Sequence, residues 1–121
     1  MAKRILIVDD DEMVRMALSE LLDPEGYEID SVGSAKEALN KIDGTRYDLL
    51  MFDIIMPEMD GLELCKRVRE REDCGEIPIV FLTAKSREED RAHGLAVGAN
   101  LFLSKPISPE KLLGIVSETI G

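Results

Sequence analysis

The sequence predicts an α/β fold, a single doubly wound five-stranded parallel sheet in the order 2-1-3-4-5, with five helices. Three observations predict it. Four short runs, Ile5–Val8, Leu49–Phe52, Ile79–Leu82 and Leu101–Ser104, are apolar on both alternating faces, as strands covered by helices on both sides require. Segments with helical periodicity and recognisable caps separate these runs. One further strand, Glu28–Val32, alternates polar and apolar residues, as a half-exposed edge strand does. Alternating strands and helices with right-handed crossovers build a doubly wound sheet. The order 2-1-3-4-5 puts the alternating strand at an edge and the topological switch point between the first and third strands.

Each element has a local reason. After the first strand, a helix is predicted over Glu12–Leu22, with Met13, Met16, Ala17 and Leu21 as its apolar stripe. Asp23-Pro24-Glu25-Gly26 ends it, since Pro and Gly both punctuate helices. Ser34 and Glu37 form a capping-box pair that opens a second helix to about Ile42. Asp60 caps a third helix from Gly61, with Leu62, Cys65 and Val68 apolar. Ser86 and Glu89 repeat the capping box before a fourth helix to about Val97. Ser108-Pro109-Glu110 gives a cap followed by Pro at the first helical position, opening the last helix.

With 121 residues, the chain has room for one domain and one core, and 45% hydrophobic content excludes disorder. The net charge of −10 offers no basic excess to neutralise phosphates, which argues against unassisted nucleic-acid binding. The run Lys66–Asp73 alternates in sign and is read as the solvated outer face of a helix. Cys65 and Cys74 are too few for a disulfide framework or a metal motif, and are read as reduced bystanders. No apolar run reaches the length of a membrane span, and Met1-Ala2-Lys3-Arg4 leads directly into a strand without a signal peptide. The expected location is the cytoplasm.

The functional signal lies where the apolar runs stop. They stop at Asp9-Asp10-Asp11, Asp53, Thr83 and Lys105. Ligands of open α/β sheets bind beyond the carboxyl ends of the strands, so these residues are expected to meet there, with Asp9, Asp10 and Asp53 converging at the switch point. Two carboxylates ~4 Å apart repel by roughly 4 kcal/mol at an effective dielectric of 20. Three of them need a cation, and Mg²⁺ takes one or two carboxylates together with waters and phosphate oxygens. Lys105 supplies a point charge for Asp53 and for a phosphoryl group on it. Thr83 supplies a hydroxyl donor, and a carboxylate can act as nucleophile to form an acyl phosphate. Taken singly, each residue is an ordinary cap or surface side chain; the set is what points to phosphoryl transfer.

Val8-Asp9-Asp10, Asp53-Ile54-Ile55-Met56-Pro57-Glu58-Met59-Asp60-Gly61, Thr83-Ala84 and Lys105-Pro106 resemble the receiver domain of two-component response regulators, in order and over nearly the whole chain. The resemblance, closest in kind to chemotaxis regulators, itself implies the flavodoxin-like fold and its strand order, with residues 1–121 as one receiver domain. It implies Asp53 as phosphoacceptor for a phosphohistidine on a sensor histidine kinase or histidine phosphotransfer protein. It implies Mg²⁺, or Mn²⁺, on Asp9, Asp10, Asp53 and the main-chain carbonyl of Ile55. Thr83 and Phe102 match the switch hydroxyl and aromatic switch position, and Lys105 the phosphate-binding lysine, with a cis bond to Pro106. The expected output surface comprises the fourth helix, fifth strand and fifth helix. The first helix and the Pro106-Ile107 loop are expected to face the kinase.

The resemblance implies a signalling phosphoacceptor and not a conventional enzyme, with limited Mg²⁺-dependent self-phosphorylation and self-dephosphorylation. Its target is a downstream protein or output domain, and it is a monomer or a phosphorylation-dependent dimer without direct nucleic-acid or membrane contact. The chain departs from the familiar pattern at Asp11, which allows a slip making Asp10 and Asp11 the ligands, and at Ile55 and Lys85, which flank the path of the hydrolytic water. A haloacid-dehalogenase-like phosphatase would carry a second aspartate where Ile55 stands. A flavodoxin-like electron carrier needs a Ser/Thr-rich loop after the first strand, and a dinucleotide binder needs a glycine-rich one; this chain has acids there. The remaining alternative is a degenerate receiver acting as a phosphorylation-independent interaction module. His93 is read as a surface residue. Both a stand-alone receiver and an excised domain of a longer regulator fit the sequence.

Overall fold

The computed structural model describes residues 2–121. Five strands alternate with five helices: β1 (Arg4–Val8), α1 (Glu12–Leu22), β2 (Glu28–Val32), α2 (Ala35–Gly44), β3 (Leu49–Phe52), α3 (Gly61–Arg69), β4 (Ile79–Thr83), α4 (Glu88–Ala96), β5 (Leu101–Ser104) and α5 (Pro109–Ile120). The strands form one parallel sheet in the order β2-β1-β3-β4-β5. The predicted fold class is therefore the observed one.

The sheet separates two cores, as the unbroken apolar runs demand. Leu6, Val8, Leu50, Phe52 and Phe81 pack one face against Ala38, Leu64, Cys65 and Val68 of α2 and α3. Ile5, Ile7, Leu49, Met51 and Val80 pack the other against Leu18 and Leu22 of α1 and Leu112 and Val116 of α5. Burying each such side chain stabilises the fold by about 1.5–3 kcal/mol, which fixes the register of the central strands. Tyr47, buried just before β3, donates its hydroxyl to Asp30 Oδ2 of β2 at 2.6 Å, tying the edge strand to the centre. Among the described residues, no helix is long and apolar enough to cross a membrane.

Four local expectations are corrected. The stripe that α1 buries is Val14, Leu18, Leu21 and Leu22; Met13 and Met16 are 77% and 55% exposed, and Ala17 is also exposed. A helix has one phase on the sheet, and the leucine stripe removes the larger apolar area from water. The Ser86–Glu89 capping box does not form: α4 begins at Glu88, and the Arg87 N–H donates to the Asp90 carboxylate at 3.1 Å. β5 is the second edge of the sheet, so its apolar run is only half covered and Leu101 is 37% exposed. Arg69, expected on a solvated face, turns its guanidinium inward. It donates to the carbonyls of Gly98 at 2.9 Å, Gly75 at 3.1 Å and Ile77 at 2.6 Å, and to Asn100 Oδ1 at 2.8 Å.

Candidate functional site

β1 and β3 are adjacent, so their carboxyl ends bring Asp9 and Asp53 side by side, with the Asp53 N–H donating to the Val8 carbonyl at 2.9 Å. Carboxylate oxygens of Asp9, Asp10 and Asp53 all lie within 4.8 Å of one another. Lys105, following β5, reaches back across the sheet edge, and its Nζ donates to Asp9 Oδ2 at 2.7 Å and Asp53 Oδ2 at 3.1 Å. The Lys105-Pro106 bond is cis. Asp9 and Asp53 are buried, while Asp10 is exposed.

Asp9 is held at every polar atom. Its N–H donates to the Val32 carbonyl at 3.2 Å, its carbonyl accepts from Arg15 Nη1 at 2.7 Å, and its Oδ1 accepts from the Asp11 N–H at 2.9 Å. Burial nevertheless pushes the Asp9 carboxyl above its usual range, and the neighbouring Asp53 charge adds to this, against the pull of Lys105 and the Asp11 N–H. Burial alone would draw the Lys105 ammonium down, but its bonds to Asp9 and Asp53 carry it net upward. The directions agree on one physical picture: three carboxylates face a single ammonium, and negative charge is in excess. The donor set is all oxygen, hard and anionic, which fits Mg²⁺ and would repel an anionic cofactor.

Asp11 lies outside the cluster and serves as N-cap of α1, accepting from the Met13 N–H at 2.9 Å. Thr83, the last residue of β4, is fully buried, and its Oγ1 accepts from the Lys85 N–H at 3.1 Å. Its carbonyl accepts from the Lys105 N–H at 2.9 Å, which joins the two strand ends. Ile55 is 57% exposed, and its N–H donates to Asp53 Oδ1 at 3.3 Å. Phe102 is only 4% exposed, so its ring already points inward. Both cysteines are buried, and burial pushes the Cys65 thiol up to about 11, as an inert bystander requires. His93 is exposed on α4.

One contributor, Arg15, went unnoticed in the sequence, and another, Gly61, was noticed only as part of a motif. Arg15 was hidden among helix residues, although its place one turn after the Asp11 cap puts it over the acidic loop. Gly61 belongs to the resembling motif, but its reason is geometric: a Cβ there would overlap the Asp53 carbonyl oxygen, and its N–H donates to the Ile54 carbonyl at 2.9 Å.

A family model described as the response regulator receiver domain matches residues 5–117. The chain is 38% identical over 112 residues to the alkaline phosphatase synthesis transcriptional regulatory protein PhoP of Bacillus subtilis, covering 93% of this chain and 46% of that protein. It is 42% identical over 113 residues to the response regulator MprA of Mycobacterium tuberculosis, covering 93% of this chain and 48% of that one. The chain thus spans about half the length of these curated relatives. Among solved structures, chemotaxis protein CheY4 of Vibrio cholerae superposes with a TM-score of 0.93 at 35% identity, covering 98% of this chain and 99% of that one. A response regulator structure from Chloroflexus aurantiacus gives 0.94 at 37% identity, covering 99% and 98%. With the acidic cluster, its lysine and the strand order in place, these likenesses have one reading: the chain belongs to the response regulator receiver domain family.

Proposed function

We propose that residues 1–121 form a phosphoacceptor signalling domain of a two-component system that takes a phosphoryl group onto Asp53. The observation that carries this is the meeting of Asp9, Asp10 and Asp53 within 4.8 Å, with Lys105 bridging two of them. The donor is a phosphohistidine on a sensor histidine kinase or histidine phosphotransfer protein. An Asp53 carboxylate oxygen forms the bond to phosphorus as the P–N bond breaks; the imidazole keeps that electron pair and takes a proton. Asp9, Asp10, Asp53 and the main-chain carbonyl of Ile55 would hold Mg²⁺ or Mn²⁺, which supplies neutralisation of the phosphoryl oxygens. Lys105 turns from the carboxylates to one of those oxygens, and Thr83 turns from the Lys85 N–H to donate to another.

The product carries nearly two added negative charges at Asp53, and these bias the surface of α4, β5 and α5 toward its signalling form. The exposed Met13 and Met16 on α1, close in sequence to the acidic loop, support α1 and the Pro106-Ile107 loop as the kinase-facing side. The output is a downstream protein or a domain beyond this chain; relatives twice as long include a transcriptional regulator. With a net charge of −10, this domain itself does not hold nucleic acid. It acts in the cytoplasm as a monomer or a phosphorylation-dependent dimer, with slow self-phosphorylation and self-dephosphorylation.

Incubation with acetyl phosphate, with and without Mg²⁺, followed by intact-mass measurement, tests the reading. The expected result is one phosphoryl adduct that requires Mg²⁺ and is absent in Asp53→Ala. Wild type without an adduct would make the chain a degenerate receiver that works by contact alone.

A further inference from the structure

The three phenylalanines of the chain stand in one row. Phe52, Phe81 and Phe102 are register partners on β3, β4 and β5, with ring centroids 6.3 Å and 6.1 Å apart along the row. All three are buried, and Phe52 directly precedes Asp53. The row ends beneath α4, a helix with little else to hold it: Gly94 is its one buried residue, while His93 and Leu95 on either side are exposed. A Cβ on Gly94 would stand 2.9 Å from Phe102 Cδ2 and 3.2 Å from Phe81 Cδ2. Glycine is a poor residue for a helix interior, so the position gives up helix propensity to let the two rings approach the backbone. Arg91 adds a tie on the same side, its Nη1 donating to the Phe102 carbonyl at 3.2 Å.

We propose that Gly94 is a positioning residue, a socket that keeps the Phe102 ring inward before any phosphoryl group arrives. The moving part of the switch is then α4, which rides on the aromatic row, and not the ring itself. Lys85 links that helix to the site: its N–H donates to Thr83 Oγ1, and its Nζ pairs with Asp90 of α4 at 3.8 Å. When Thr83 turns toward Asp53, the Lys85 N–H loses its acceptor, and the first turn of α4 is released while the ring stays in its socket. The switching half of this inference rests on Asp53 as phosphoacceptor; the socket does not.

Ring-labelled phenylalanine NMR separates the two halves, since only three ring systems appear. In unphosphorylated wild type, the Phe102 ring is expected to be shielded from a paramagnetic co-solute to the same degree as Phe52, and to stay so after acetyl phosphate and Mg²⁺, while α4 amide shifts move. In Gly94→Ala, the ring is expected to become several-fold more accessible. A ring that is accessible in unphosphorylated wild type and becomes shielded on phosphorylation would overturn the proposal. A shielded ring in Gly94→Ala would overturn the socket. Melting temperatures cover the case of a poorly folded variant: Gly94→Ala should lower the value much more with Phe102 in place than in a Phe102→Ala background, where only the Phe81 contact remains. Equal effects in both backgrounds would also overturn the socket. Intact mass of the same samples reports the adduct, so its absence condemns the phosphoacceptor reading while the shielding data still judge the socket.

Discussion

Lys105 and Arg69 sit at opposite ends of the same sheet, each with its cationic group inside a polar nest, and the nests are built on opposite principles. Arg69 meets only neutral partners: the carbonyls of Gly75, Ile77 and Gly98 and the side-chain oxygen of Asn100, which in turn accepts from the Ile79 N–H at 2.9 Å. It stitches the loops entering β4 and β5, and every contact is a charge-assisted hydrogen bond with no competing charge. Lys105 meets two carboxylates, with Asp10 beside them, and leaves negative charge in excess. The site end also holds Glu58 in the left-handed region at φ 69, a conformation that costs a non-glycine residue. One end of the sheet is closed and satisfied, whereas the other holds a strained residue and stores carboxylate repulsion that a divalent cation can relieve.

The largest expected effect comes from the satisfied end. Arg69→Ala should destabilise the protein by about 3 kcal/mol in urea unfolding, because several carbonyls lose a charged donor at once. The loss should not respond to Mg²⁺. A loss under about 0.5 kcal/mol, within the range of ordinary surface substitutions, would dissolve the contrast. At the site end, Mg²⁺ at ten times its Kd should stabilise wild type by about 1.4 kcal/mol through mass action, read as a rise in melting temperature. Asp10→Asn should lose most of that rise, whereas Arg69→Ala should keep it.

A third test concerns protons. Burial, followed by the bond to Asp30, raises the Tyr47 hydroxyl well above its ordinary value of 10.0. The folded state therefore keeps this proton longer than the unfolded chain does. Its stabilising contribution is whole below pH 10.0 and is lost as pH rises beyond it. Between pH 10 and 11, wild type should lose about 1 kcal/mol more than Tyr47→Phe in parallel urea titrations. Parallel curves for the two proteins would mean that the Tyr47 hydroxyl is not raised in the folded state. The smallest effect is relief of strain: Glu58→Gly should gain about 0.5–1 kcal/mol, since glycine adopts the left-handed conformation without steric cost. A loss on that substitution would mean that the loop is unstrained.

The strand ends were legible in the sequence because burial on both faces stops abruptly where the polar residues begin. The alternating strand placed β2 at an edge, and the family resemblance supplied the rest of the strand order. Three of the five helix starts followed from Ser34, Asp60 and Ser108-Pro109 at capping positions. What was illegible depended on reach or on phase. Arg69 sits in a run of alternating charge that looks solvated, and only the folded loops reveal carbonyls within range of its long side chain. On α1, two apolar stripes compete, and sequence spacing alone does not show which one the sheet takes. The inward Phe102 ring depends on an absent side chain at Gly94, a signal visible only once β5 and α4 are in contact.

Gly61 donates its N–H to the Ile54 carbonyl while its Cα lies against the Asp53 carbonyl, so the chain leaves the end of β3 and returns almost to its starting point. Such a closed stitch has a fixed count. A residue added or deleted between Asp53 and Gly61 would displace the acceptor itself. Length as much as residue identity is therefore under constraint in that loop. A chain that keeps every acidic residue but gains one position there would have lost the site.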